Sequence, residues 1–230
     1  MKTIGLLGGM SWESTVPYYK IINRTVAERL GGLHSARLIL YSVDFHDIEQ
    51  LQHADEWEET GRILAQCARS VEAAGAECMV LCTNTMHRVA EMIQEAIAVP
   101  LLHIADAVAR EILSAGVSTV GLLGTRFTME QEFYRKRLHD VHGLSVLVPD
   151  DRDRDEIHRV IYEELCLGQV NESSRGEFRR IIASLGRAGA QGVVLGCTEI
   201  SMLVSPADVQ LPLYDTTEIH ARAAVDWALA

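Results

Sequence analysis

Residues 188–199 read Ala-Gly-Ala-Gln-Gly-Val-Val-Leu-Gly-Cys-Thr-Glu, and residues 74–85 read Ala-Gly-Ala-Glu-Cys-Met-Val-Leu-Cys-Thr-Asn-Thr. Both stretches open on Ala-Gly-Ala, pass through a short apolar run ending in Val-Leu, and close on small, mostly polar residues. Two further pairs keep the same order. Gly5-Leu6-Leu7-Gly8 returns as Gly121-Leu122-Leu123-Gly124, and Val99-Pro100-Leu101 returns as Leu211-Pro212-Leu213. Gly-Leu-Leu-Gly alone is a common strand ending and carries little weight. Three matches in constant order, with a slowly drifting offset, indicate a tandem duplication.

Outward from these segments, short apolar runs alternate with longer amphipathic ones. Ile4 to Leu7, Arg37 to Val43 and Cys78 to Leu81 read as strands. Pro17 to Leu30 reads as a helix, with Tyr18, Ile21, Ile22 and Val26 on one face. Trp57 to Ala74 reads as a helix ended by Gly75, and another helix runs from the third strand to about Ala98. Strands alternating with helices imply parallel sheets covered on both faces. The expected fold is therefore α/β, with two similar parallel-sheet domains related by internal duplication. The first spans 1–113 and the second 114–215. The C-terminal segment 216–230, helical from Ile219 to Leu229, is expected to pack back and complete the first domain. Ligands of open α/β sheets bind beyond the C-terminal ends of the strands, so the expected active site lies in a cleft between the two halves.

The bulk numbers narrow the function class. The 230 residues are 48% hydrophobic and 23% charged, with a formal net charge of −11. These are ordinary globular proportions, which exclude disordered and collagen-like chains. A uniformly acidic chain repels phosphate backbones, so no nucleic-acid partner is expected. Short basic runs such as Arg135-Lys136-Arg137 and Arg179-Arg180 read as solvated helix faces. Five cysteines at scattered spacings do not form a secreted disulfide framework, and a reducing cytoplasm is the expected home. The first apolar run is short and broken by glycines, so it reads as a buried strand and not as a signal peptide or membrane span.

The duplication aligns two strand ends column by column. Thr83 corresponds to Cys197, Asn84 to Thr198 and Thr85 to Glu199. Both segments leave a buried strand and enter a helix, where free backbone N–H groups suit a carboxylate. The same position is expected to lower a thiol pKa and favour the thiolate, so Cys197 is the candidate reactive residue. A buried structural cysteine is the commoner fate of this residue type. The repeat, the strand-end position and the polar neighbours favour function here.

Gly8-Gly9-Met10-Ser11, Asn84-Thr85-Met86-His87 and Gly196-Cys197-Thr198-Glu199 together resemble the aspartate/glutamate racemase family, the PLP-independent amino-acid racemases. The resemblance covers essentially the whole chain. Glu199 is similar to the aspartate-racemase branch, since the cell-wall glutamate racemases usually carry histidine there. The resemblance implies an amino-acid racemase that needs no cofactor and no metal. It also implies a homodimer, and two cysteines facing each other across the substrate α-carbon. One removes the α-proton and the other returns a proton to the opposite face. Such a site must stabilise the developing carbanion by positioned charge and hydrogen bonds.

The chain departs from that pattern at one of the two positions. The family's first cysteine directly precedes Asn-Thr, where this chain has Thr83, and its cysteine sits one residue earlier, at Cys82. Side chains alternate across a strand, so the two should point to opposite faces. The repeat aligns Thr83, not Cys82, with Cys197, so Thr83 is expected in the cleft and Cys82 in the core. A local bulge would exchange them. A hydroxyl ionises far above neutral pH and is a poor base. The expectation is an asymmetric enzyme with Thr83 and Cys197 as catalytic residues. The resemblance implies that the second-half cysteine acts on the L-enantiomer, so L-substrates are expected to be favoured. Met10, Gln52, Asn84, Thr85, Thr198 and Glu199 are the expected substrate-binding residues. Gln52 stands in an acidic stretch, Asp44 to Gln52, where aspartate-specific relatives commonly carry a basic residue. Without that cation, neutral polar amino acids come within range, unless Arg62 or another arginine reaches in. The second half offers Tyr162 to Leu165, with Gln169 shortly after.

Other readings have less behind them. Gly5 to Gly9 lacks the spacing of a dinucleotide or phosphate loop. Cys78, Cys82 and His87 lack a paired-ligand motif for a metal. Lys2, Lys20 and Lys136 lie in no strand-end site for a Schiff base. His87 is expected to orient its loop, and His103 to be structural. A single-cysteine decarboxylase or isomerase of the same superfamily, and a non-catalytic small-molecule-binding protein, remain as alternatives.

Overall fold

A computed structural model describes residues 1–230. The first half runs β1 (Ile4–Gly8), α1 (Trp12–Leu30), β2 (Leu38–Ser42), α2 (Phe45–His53), α3 (Trp57–Ala73), β3 (Cys78–Leu81), α4 (Ala90–Glu95) and β4 (Leu101–Leu102). The chain continues through α5 (Ile104–Ser114), β5 (Thr119–Gly124), α6 (Arg126–Glu130), α7 (Glu132–Lys136) and β6 (Ser145–Leu147). It ends with α8 (Asp151–Glu163), α9 (Glu172–Arg187), β7 (Val193–Gly196), α10 (Ile200–Leu203), β8 (Leu213–Asp215) and α11 (Thr216–Leu229).

The strands form two four-stranded sheets, ordered β2-β1-β3-β4 and β6-β5-β7-β8. All pairings are parallel, with Leu7 beside Leu81 in one sheet and Leu123 beside Leu195 in the other. The two orders are the same, as duplication requires. The Ala-Gly-Ala repeats have a common cause. Gly75 and Gly189 adopt φ of +103° and +105°, a conformation that side-chain-bearing residues rarely take. Each ends its helix in a Schellman turn. Ala76 N–H donates to Val71 O at 3.3 Å, and Ala190 N–H donates to Leu185 O at 3.0 Å. The chain is thereby turned straight into β3 or β7, whose residues are all buried.

The compact units differ from the expected 113/114 division. The first comprises Met1–Ile104 with His220–Ala230, and the second Ala105–Ile219. Helix α5 belongs with the second unit. There its Asp106 accepts two bonds from Arg137, both at 2.7 Å, and pairs with His142 Nε2 at 2.9 Å. Most of α11 belongs with the first, where Ala221, Ala224, Val225 and Ala228 pack with Ile4, Leu6, Tyr18 and Ile22. The helix after the last strand of each half thus joins the other unit. Periodicity shows that a helix has an apolar face, but not which core buries it.

Two local expectations are corrected, and one helix is found that the sequence reading did not include. Helix α1 begins at Trp12, not Pro17, because Ser11 caps it: Ser14 N–H donates to Ser11 Oγ at 3.4 Å. The acidic stretch after β2 is helical, with Asp44 accepting from His46 N–H at 3.0 Å. Between β3 and α4 the chain makes a 3₁₀ turn, Thr85–Val89, and α4 ends at Glu95, short of Ala98. No helix is long and apolar enough to cross a membrane.

Candidate active site

In the second unit, β7 delivers Cys197 at its C-terminal end. Gly196 permits this approach, since a Cβ there would lie 2.8 Å from Leu123 O on the neighbouring strand. Cys197 is 8% exposed and packs at the edge of the apolar core containing Leu195 and Ile200. Its Sγ donates to Glu199 Oε2 at 3.0 Å, and Thr198 Oγ1 donates to the same oxygen at 2.6 Å. The other carboxylate oxygen, Oε1, accepts from Cys166 Sγ at 3.7 Å. Cys166 lies on a 3₁₀ turn, Leu165–Leu167. One carboxylate therefore collects two thiols and a hydroxyl.

The charge state of this cluster reverses an expectation drawn from the sequence. The Cys197 thiol is pushed well above its ordinary range. Burial is the main cause, followed by the Glu199 charge, Cys166 and the hydrogen bond to Glu199. The helix anticipated to favour a thiolate is a single turn, α10, with Glu199 at its N-cap. So short a helix has little dipole, and an anion stands where the positive end was expected. The resting group is a thiol whose proton points at a carboxylate. Burial and Glu199 raise Cys166 likewise.

In the first unit, Cys82 has no exposed surface and packs among Ile4, Leu6, Tyr18 and Val80. Burial alone pushes its thiol upward. Its N–H donates to Leu7 O at 2.9 Å, still in the manner of the sheet, and Thr83 N–H then turns back to Leu81 O at 2.9 Å. Thr83 retains 8% exposure. His87 holds this turn. Its Nδ1 pairs with Thr83 O at 2.8 Å, and its Nε2 faces Ile104 N–H at 3.2 Å. A carbonyl only accepts and an N–H only donates, so the proton is on Nδ1 and the ring is neutral.

The remaining expected residues fall around these two loops. Asn84 and Thr85 are buried directly after Thr83, and Thr198 and Glu199 directly after Cys197. Gln52 is buried on α2, and its Nε2 donates to Met86 Sδ at 3.7 Å, so it touches the Asn84–His87 segment. Met10 is buried in the loop after β1, the strand beside β3. Arg62 forms an exposed pair with Glu59, its Nε 2.7 Å from Oε2. Glu164 is committed to structure. Burial pushes its carboxyl up, but Ser174, Asn171 and Arg159 outweigh that and hold it below the usual range. Gln169 is exposed. The sequence reading passed over Cys166, because its partner is distant in the chain and no local motif marks the contact.

Residues 7–224 match the family described as Asp/Glu/Hydantoin racemase, and the chain belongs to that family. It is thus an isomerase of the racemase type. The broad specificity amino-acid racemase RacX of Bacillus subtilis (strain 168) is 25% identical over 236 residues, covering 99% of this chain and 98% of the relative. A Yersinia pestis protein whose crystal structure carries an Asp/Glu racemase assignment is 56% identical with a TM-score of 0.94, each chain fully covered. An aspartate racemase homologue from Pyrococcus horikoshii OT3 is 38% identical with a TM-score of 0.87, again with both chains fully covered.

Proposed function

We propose that the protein is a cofactor-independent amino-acid racemase in which Cys197 works on the L-enantiomer and the Thr83 loop serves the opposite face of the α-carbon. The carrying observation is the Cys197 Sγ to Glu199 Oε2 hydrogen bond of 3.0 Å at the end of β7. Glu199 takes the thiol proton, giving a carboxylic acid and a thiolate. The thiolate then removes the α-proton of the L-substrate. The planar carbanion recovers a proton from the other face, through the Thr83 hydroxyl or a water that it holds. The proton on Glu199 then leaves to solvent, while Thr83 or its water is reprotonated from solvent. The Thr83 assignment rests on its alignment with Cys197 in the repeat and on the burial of Cys82 in the core.

Substrates of the aspartate and glutamate type, extending to neutral polar amino acids, fit this reading. An amide, Gln52, stands where a cation would select an acidic side chain. A relative named for broad specificity aligns along the whole chain. Asn84, Thr85, Thr198 and Met10 complete the substrate-binding set. All five cysteines are free thiols, in keeping with a reducing cytosol. A homodimer follows from the family resemblance. The test is chiral analysis of a panel of L- and D-amino acids incubated without added cofactor. Racemisation that disappears in Cys197→Ala supports the reading, and racemisation that survives in that variant overturns it.

A second reading is favoured by one observation. With Cys82 in the core, Cys197 is the one thiol on the two strand-end loops, an arrangement that also suits a decarboxylase protonating a single face. Carbon dioxide release from a disubstituted malonate would identify that activity.

A further inference from the structure

Glu199 stands on the second loop directly before α10, and its two oxygens have different partners. Oε2 accepts from Cys197 at 3.0 Å and from Thr198 at 2.6 Å, while Oε1 accepts from Cys166 at 3.7 Å. The terminal torsion of a glutamate is broad and roughly two-fold, so a carboxylate presents a fixed oxygen only when neighbours hold it. Cys166 holds the oxygen that Cys197 does not. It lies on a short turn that belongs to no motif of the sequence, and it packs, partly buried, against the core that contains Leu195 and Ile200.

We propose that Cys166 is a positioning residue for the proton exchange between Cys197 and Glu199, its thiol holding one carboxylate oxygen so that the plane of the group stays set with the other aimed at Cys197. This rests on the racemase reading above. The residue type suits the task. A lysine or arginine at this place would neutralise Glu199 and weaken it as a proton acceptor. A thiol that burial keeps protonated donates one weak hydrogen bond and adds no charge. Cys166 forms and breaks no bond in the reaction. It narrows the broad terminal torsion of the carboxylate before substrate arrives, which is a contribution to preorganisation.

The test compares Cys166→Ala, which removes the donor, with Cys166→Ser, which keeps one, by steady-state exchange of the α-hydrogen of an L-substrate. We expect kcat to fall about three- to tenfold in Cys166→Ala, the range that one weak hydrogen bond is worth, with KM little changed. We expect Cys166→Ser to recover most of that loss. If Cys166→Ala does not fold, Cys166→Val keeps the volume without the donor and serves in its place. Unchanged kcat in the donor-free variant overturns the proposal, and so does an equal loss in the serine variant, which would mark a packing role. Either result leaves the racemase reading standing as long as Cys197→Ala is inactive. Activity surviving in Cys197→Ala removes the reading and this inference together.

Discussion

His87 donates from Nδ1 to the carbonyl of Thr83 at 2.8 Å, so the loop that follows β3 is pinned by an imidazole from its own next turn. The same ring accepts Ile104 N–H at 3.2 Å, at the start of α5. His87→Phe would keep the volume but leave a buried carbonyl and a buried N–H unpaired. A loss of about 1–3 kcal/mol is expected, read as a lower melting temperature, together with slower turnover because Thr83 is no longer fixed. Unaltered melting and turnover would show that neither bond matters.

Cys82 and Thr83 are neighbours with opposite fates. Cys82 is fully buried among apolar side chains, and Thr83 reaches the loop. Cys82→Ala should cost about 1–2 kcal/mol of stability, as small core truncations do, and leave turnover near wild type. Thr83→Cys should gain activity on D-substrates, because a thiol is a far better base than a hydroxyl. A Cys82→Ala enzyme that folds well but is inactive would reverse the assignment.

Glu199 both raises the Cys197 thiol and accepts its proton. In Glu199→Gln the charge is gone, so the free thiol should ionise more easily and react faster with iodoacetamide at neutral pH. Turnover should nevertheless fall by about 10²-fold or more, the usual worth of a positioned acid/base group. Faster alkylation with undiminished turnover would remove Glu199 from the mechanism.

Burial pushes Cys78 up to about 12, and raises Cys82, Cys166 and Cys197 as well. A group whose folded pKa lies above its unfolded value favours folding while protonated. Its contribution is fully present below the unfolded thiol pKa of about 8.5 and is lost as pH climbs toward the folded value. Unfolding free energy should therefore hold steady through neutral pH and fall steeply on the alkaline side, by about 1.4 kcal/mol per pH unit for each thiol, with melting temperature following it down. Replacing Cys82 by alanine should make that fall shallower, and an identical alkaline slope would mean that this thiol is not responsible.

Much of this was legible in the chain itself. The Ala-Gly-Ala repeats mark two Schellman turns because only glycine adopts their φ readily, and each turn is followed by a buried strand. The alternation of side chains, together with the alignment of Thr83 with Cys197 in the repeat, placed Cys82 inward, and it packs in the core. Helix α2 was missed because only Ile48 and Gln52 of its residues are buried, too few to print an apolar stripe. The unit boundary was displaced because α5 and α11 each have an apolar face, and a face does not name its partner. The Cys197 environment was misjudged for a different reason. A helix start was inferred correctly, but its length and the acid at its N-cap decide the sign of the field, and Cys166 arrives from a segment far away in sequence.

The central claim is most directly tested by following α-deuterium incorporation in deuterated water, separately for the L- and D-enantiomers of one substrate. The account predicts rapid exchange from the L-enantiomer, much slower exchange from the D-enantiomer, and neither in Cys197→Ala. Equal rates from both enantiomers, undiminished when Cys197 is replaced, would contradict it.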